Sequence, residues 1–317
     1  MIQFSRIGWG PVLPMVLVLS ACGGGSGGGG NDQPEEQTGP QLSYDNKNFA
    51  QKSVSITRDS GAEGLIRLRD DLALGWSIID EYTSAIQDMS ILEQGTYPCA
   101  GGGNLEIRWT ETEKSLEETT RFSRCVLDTP THGPVMISGS TTYESVLIAE
   151  SETSASWKSS YTDDLSGTIQ RTGESLRFSG ALRMSDYLNE NGGVTSWRYV
   201  RDIKRYEMKL GNRYVAIADA QNRDSGTDAD SEYSVRATIV GSAIGGYMKL
   251  ETPDPVEFSS NLECPVSGIV KLSSNGEAEV RFGSSAGGTA KAVAVWVDGA
   301  VVESYDDCSE IGVVLYF

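Results

Sequence analysis

The stretch Asn191-Gly192-Gly193-Val194-Thr195-Ser196-Trp197-Arg198-Tyr199-Val200 reads as a tight turn followed by the strand that leaves it. An asparagine and two consecutive glycines supply the positive φ angles that a two-residue hairpin turn requires. After them, the aromatic residues Trp197 and Tyr199 alternate with polar neighbours, a period of two rather than 3.6. Leu105-Glu106-Ile107-Arg108-Trp109 alternates in the same way, and Gly211-Asn212 and Ser274-Asn275-Gly276 repeat the turn signal. No helical period recurs between these segments, so βαβ crossovers have no source and the strands must pair antiparallel. Roughly fifteen strands fit between residues 96 and 317. The expected class is mainly β, an antiparallel meander or sandwich-like body. Residues 292–297, apolar on both faces, are expected to be central. Residues 154–161, with Trp157 and Tyr161 set against a polar face, are expected to be half exposed.

Ahead of the strands the period changes. Ser60-Gly61-Ala62-Glu63 fits a capping box, and Leu65, Leu68, Leu72, Trp76, Ile79, Thr83, Ile86 and Met89 then recur at steps of three and four. This spacing predicts one long N-terminal amphipathic helix over residues 65–89, laid on a face of the sheet or acting as a lid over a ligand cavity.

The first fifty residues carry an address. Arg6 precedes an apolar run over residues 11–19 that is too short to span a bilayer, and the run ends in Leu19-Ser20-Ala21-Cys22. This tetrapeptide resembles the lipobox of bacterial lipoproteins. The resemblance implies that residues 1–21 are a signal peptide and that Cys22 becomes the acylated N-terminus. It also implies processing and sorting by the lipoprotein machinery, with a membrane partner held through the acyl chains. Such multiple chains anchor permanently, at about 0.8 kcal/mol per buried methylene. In that family an Asp after the cysteine usually retains the protein at the inner membrane; Gly23 stands here, which implies the outer membrane of a Gram-negative envelope. Residues 22–50 are rich in Gly, Ser, Pro, Asn and Gln and poor in large apolar side chains, and cannot bury enough surface to fold. As a flexible tether of about 25 residues they reach roughly 25–30 Å. Residues 234–298 also resemble the C-terminal part of uncharacterised β-rich bacterial lipoproteins, a likeness that implies no activity.

Five cysteines are an odd number for an exported chain. Assigning Cys22 to lipid leaves Cys99, Cys125, Cys264 and Cys308, which suit disulfides in an oxidising compartment. Three connectivities are possible. Cys99 with Cys125 and Cys264 with Cys308 are favoured, because each closes a local loop. Pro253, Pro255 and Pro265 interrupt the strand pattern between the two pairs, which suggests a helix-plus-β unit over residues 51–252 and a C-terminal β unit over residues 253–317.

The chain carries 26 Lys plus Arg against 44 Asp plus Glu, a formal charge of −18. Without a basic cluster, this surface excludes nucleic acid as a partner. Chemistry-bearing motifs are sparse. His132, the single histidine, lies in Pro130-Thr131-His132-Gly133-Pro134 and reads as a solvated loop residue. Gly283-Ser284-Ser285-Ala286-Gly287 matches a nucleophile elbow in letters only, because strands flank it and the histidine precedes it. Asp224, Asp228, Asp230 and Glu232 offer oxygens to Ca2+, but the loop lacks the turn glycine and the distant bidentate glutamate of a calcium hand, so a solvated hairpin tip is expected. Trp109, Trp157, Trp197 and Trp296, with Tyr161, Tyr199 and Tyr214, fall on strands as core residues or as a stacking platform for sugars or peptides. Residues 312–317 end in an aromatic, as outer-membrane barrels do, yet residues 151–164 are too polar for a lipid-facing row. The expected function is a non-enzymatic binding or structural module without cofactor or metal, anchored in the envelope. The alternatives are a carrier of lipid or another apolar ligand between helix and curved sheet, and an envelope hydrolase.

Overall fold

A computed structural model describes residues 52–55, 77–78, 81–82, 84–86, 93–259 and 264–308. The strands are β1 (Gly95–Pro98), β2 (Asn104–Glu111), β3 (Ser115–Thr129), β4 (Gly133–Glu150), β5 (Ser154–Ile169), β6 (Glu174–Asn191) and β7 (Val194–Leu210). They continue as β8 (Arg213–Thr227), β9 (Asp230–Gly241), β10 (Gly246–Ser259), β11 (Ser267–Ser274), β12 (Gly276–Phe282), β13 (Val293–Val297) and β14 (Ala300–Tyr305). They form one 14-stranded sheet in sequence order, each strand antiparallel to its chain neighbours.

The meander expectation therefore holds and the sandwich-like one does not. Alternation fixes which residues share a face, but a sandwich strand and a strand of one wide sheet alternate identically. The turn at Gly192-Gly193 forms as read, with φ of 62° and 84°, between the paired residues Asn191 and Val194. Residues 292–297 are not central: β13 lies next to the last described strand, although Val293 is buried.

Register aligns side chains into rows across the sheet. Leu105, Phe122, Gly139, Leu165, Phe178, Met208 and Val215 make one such row on what we call the core face. A side chain at Gly139, where φ is 121°, would run into the Asp164 carbonyl, so this row needs glycine there. Buried residues from β2 through β13 join one cluster. Strand twist of roughly 20–25° per strand curls an open sheet this wide over its own apolar face. The opposite face carries polar rows such as Arg183, Asp202, Gln221 and Arg236, and a small buried patch of Tyr214, Ala216, Ala218, Val240 and Tyr247 on β8–β10.

Residues 77–78, 81–82 and 84–86 are helical. Ile78 and Tyr82 are buried in the core cluster. Tyr82 meets the Phe122 ring edge-on at 5.5 Å and donates its hydroxyl to the Cys125 carbonyl at 3.2 Å. The remainder of the expected helix over residues 65–89 lies outside the described residues, as do Cys22, the signal segment and the tether. Disulfides join Cys99 to Cys125 and Cys264 to Cys308. The boundary expected between residues 252 and 253 falls inside β10, which pairs with both β9 and β11.

Candidate ligand-binding face

The core face changes character along the strands. Toward the hairpin ends at residues 130–132 and 211–212 it is apolar and sealed. One row further along stand Thr120, Thr141, Asp163, Gly180 and Tyr206. Next come Trp109, Glu118, Tyr143, Tyr161, Leu182 and Ile203. Beyond Arg201, which is flanked by Met184 and Asn222, a row runs Trp157, Asp186, Tyr199, Asp224, Tyr233, Val256. Trp197, Gly226, Ser231 and Phe258 form the rim.

The members of the Trp157-to-Tyr233 row are half-buried, in contrast to the sealed rows below. Asp186 and Asp224 both face the Arg201 guanidinium. Burial raises both carboxyls above the ordinary carboxylate range; Arg201 opposes this at each, and the Trp197 indole N–H also opposes it at Asp224 by donating a hydrogen bond. Burial also raises the hydroxyls of Tyr161 and Tyr199, with neighbouring carboxylates adding to the effect. Tyr143 and Tyr161 pack with ring centroids 4.6 Å apart. At the strand ends, Trp197 and Phe258 belong to the lining of an open groove of about 810 Å3, with Tyr187 and Arg198 beside them.

Asp163 separates the two halves. Thr141 Oγ1 donates to it at 2.8 Å and Tyr206 Oη at 2.7 Å. Burial raises its carboxyl, and the two hydroxyl bonds offset only part of the shift. A folded-state value above the unfolded one, about 3.9, makes Asp163 favour the fold where it is protonated; that contribution is lost as pH rises through the folded value. Asp163→Asn is therefore expected to flatten the stability gained on acidification from pH 7 toward pH 4. Urea titrations across that range check this, and parallel pH profiles for variant and wild type would refute it.

Five of the seven aromatics singled out in the sequence, Trp109, Trp157, Tyr161, Trp197 and Tyr199, share this face. Trp296 and Tyr214 do not. The Arg281 guanidinium lies 4.1 Å over the Trp296 ring on the other side of β13. Tyr214 is buried in a small cluster with Ala216, Ala218, Val240 and Tyr247, and it donates to the buried Glu207 at 3.0 Å. The acidic loop is split as well: Asp224 pairs with Tyr233 on the core face, whereas Glu232 turns the other way and accepts from Ser225 at 3.1 Å. Asp228 accepts the Thr195 N–H at 2.9 Å. Among the described residues, the single group that places three potential metal-ligand atoms together is Cys264, Asp307 and Cys308, whose two sulfurs form a disulfide.

His132 is not solvated. It is 8 % exposed, and its Nε2 lies 2.9 Å from Ser77 Oγ. The helical residues close over the β3–β4 turn, where Glu81 also accepts the Thr131 N–H at 3.1 Å. Burial acts to raise the Glu81 carboxyl, but the Thr131 bonds outweigh it and hold the group below its ordinary value. Ser285 sits in the short 3-10 turn Gly283–Ala286, where it accepts the Gly268 N–H at 3.1 Å and donates to Asp254 at 3.4 Å. That is a turn-bracing role. Neither a family model, a curated protein nor a solved structure matches this chain.

Proposed function

We propose that this chain is a lipid-anchored envelope protein, acylated at Cys22 and held off the bilayer by residues 22–50, whose β body is a non-enzymatic binding module. The observation that carries the reading is the half-buried aromatic and charged half of the core face. Stability alone calls for apolar rows throughout, yet Asp186, Arg201 and Asp224 are set there among Trp157, Tyr199 and Tyr233 with solvent access. In this reading a helix over residues 65–89 covers the apolar half. Ile78 and Tyr82 fill space there that an apolar-ligand carrier would need, which favours a binding module over a carrier. The lipobox resemblance and Gly23 favour sorting to the outer membrane of a Gram-negative host.

Two measurements test this. Cys22→Ser is expected to shift the protein from the membrane fraction to a soluble or uncleaved form, and normal anchoring of the variant would refute acylation. For the binding face, a molecule co-purifying with the intact protein from its native membrane should be lost from Trp197→Ala and Asp224→Asn. Equal retention by both variants would place the ligand elsewhere, and lipid as the retained molecule would favour the carrier.

A further inference from the structure

We infer that the row Trp157, Asp186, Tyr199, Asp224, Tyr233 is a binding site for an organic cation, a ligand bearing alkylammonium groups. The inference rests on the binding-module reading and adds the ligand's chemistry. Cross-strand register alternates ring, carboxylate, ring, carboxylate, ring along five adjacent strands. Directly opposed residues on neighbouring strands lie about 5 Å apart at Cβ, so a cation resting against either carboxylate also meets an aromatic face.

Charge complementarity selects the ligand's sign. On β5–β9, between the Asp163 row and the Trp197 rim of this face, Arg201 is the one cation among the described residues, while Asp163, Asp186 and Asp224 are acids and Glu118 adds another on β3. Arg213, at the sealed end, pairs with Glu174 at 2.8 Å. Both Asp186 and Asp224 draw on the single Arg201 guanidinium, which leaves negative charge in a half-buried aromatic setting. The chain's formal charge of −18 steers cations toward it and anions away. A hard metal ion fits less well. It needs several converging oxygens, and here the Tyr199 position separates the two carboxylates. An alkylammonium, weakly hydrated along its methylenes, suits rings and carboxylates spaced in this way. Since burial raises Asp186 and Asp224, affinity should fade on mild acidification while carboxylates with ordinary values are still charged.

Calorimetric titration of the full-length protein in nonionic detergent with spermidine tests this, with maltotriose as a neutral probe. Spermidine is expected to bind saturably, about tenfold more weakly to Asp186→Asn, Asp224→Asn and Tyr199→Leu. Arg201→Gln is expected to bind several-fold more tightly, because the competing internal cation is gone. Tyr199→Leu conserves charge, so diffuse attraction to an acidic surface would leave its affinity unchanged. Circular dichroism establishes which variants are folded, and any folded one of the four suffices. No spermidine binding, or binding that is indifferent to Tyr199→Leu and Arg201→Gln, overturns the inference. Maltotriose binding that depends on Trp197, with spermidine silent, overturns it too while leaving the binding-module reading intact.

Discussion

Phe178→Ala is expected to destabilise the protein by about 3–5 kcal/mol, the range for emptying an aromatic site in a well-packed core. Phe178 is 1 % exposed and sits between Leu165 and Met208 in the row that spans β2 to β8. Its neighbours are themselves locked by paired strands, so the backbone cannot collapse into the vacated volume and the cavity term stays large. The loss should appear in urea unfolding as a lower midpoint at an unchanged slope. Trp197→Ala, at the half-buried rim of the same face, should cost clearly less although it removes a larger side chain. That contrast tests the division of the face into a half that holds the fold and a half proposed to meet a ligand. Phe178→Ala within about 1 kcal/mol of wild type, or Trp197→Ala costing as much, would contradict the division.

How far this division could be read from the sequence depends on where strand alternation stays in phase. Trp197, Tyr199 and Arg201 stand at steps of two, so period-two reading carried two positions further would have placed the guanidinium among the aromatics. It fails at bulges. Registers shift between Phe122 and Cys125, between Ala181 and Leu182, and between Ala218 and Gln221. Asp219, at φ 48°, marks the last of these. Beyond such a bulge odd and even positions exchange faces, which is why Tyr214 and Asp224, both even-numbered on β8, point to opposite sides. Asp224 consequently left the acidic loop with which its spacing grouped it and joined Asp186, a residue 38 positions earlier that no local pattern connects to it. The burial of His132 escapes its local sequence for a related reason. Proline and glycine neighbours describe a turn correctly, but not that Ser77, 55 residues upstream, closes over it. The turns themselves were legible because glycine at positive φ is a local requirement, whereas one sheet rather than two is decided by pairings that alternation does not encode.

Cys264→Ser with Cys308→Ser is expected to cost about 4 kcal/mol at 25 °C, from the chain entropy restored to an unfolded loop of 44 residues. The effect should be uneven. The loop encloses β11 to β14, the last four described strands, none longer than eight residues, whereas β4 to β7 run to sixteen or more. At this margin the ladders are short, β14 pairs with β13 alone among the described residues, and Cys308 ties the end of the described chain back to the segment between β10 and β11. Without that tie β11–β14 can open as a unit while the long strands stay closed. Hydrogen exchange on the double variant should therefore show protection lost from residues 267–305 first, at little change over residues 133–210. Uniform loss across the sheet would mean that the margin and the centre unfold as one cooperative body. Unchanged exchange over residues 267–305 would mean that packing of Val270, Leu272, Val280, Phe282 and Val293 in the common cluster secures the margin without the covalent link. The row proposed to bind an organic cation lies on β5 to β9, outside the loop, so spermidine affinity should survive in the double variant even as its stability falls. A joint loss of both would tie the site to the C-terminal strands.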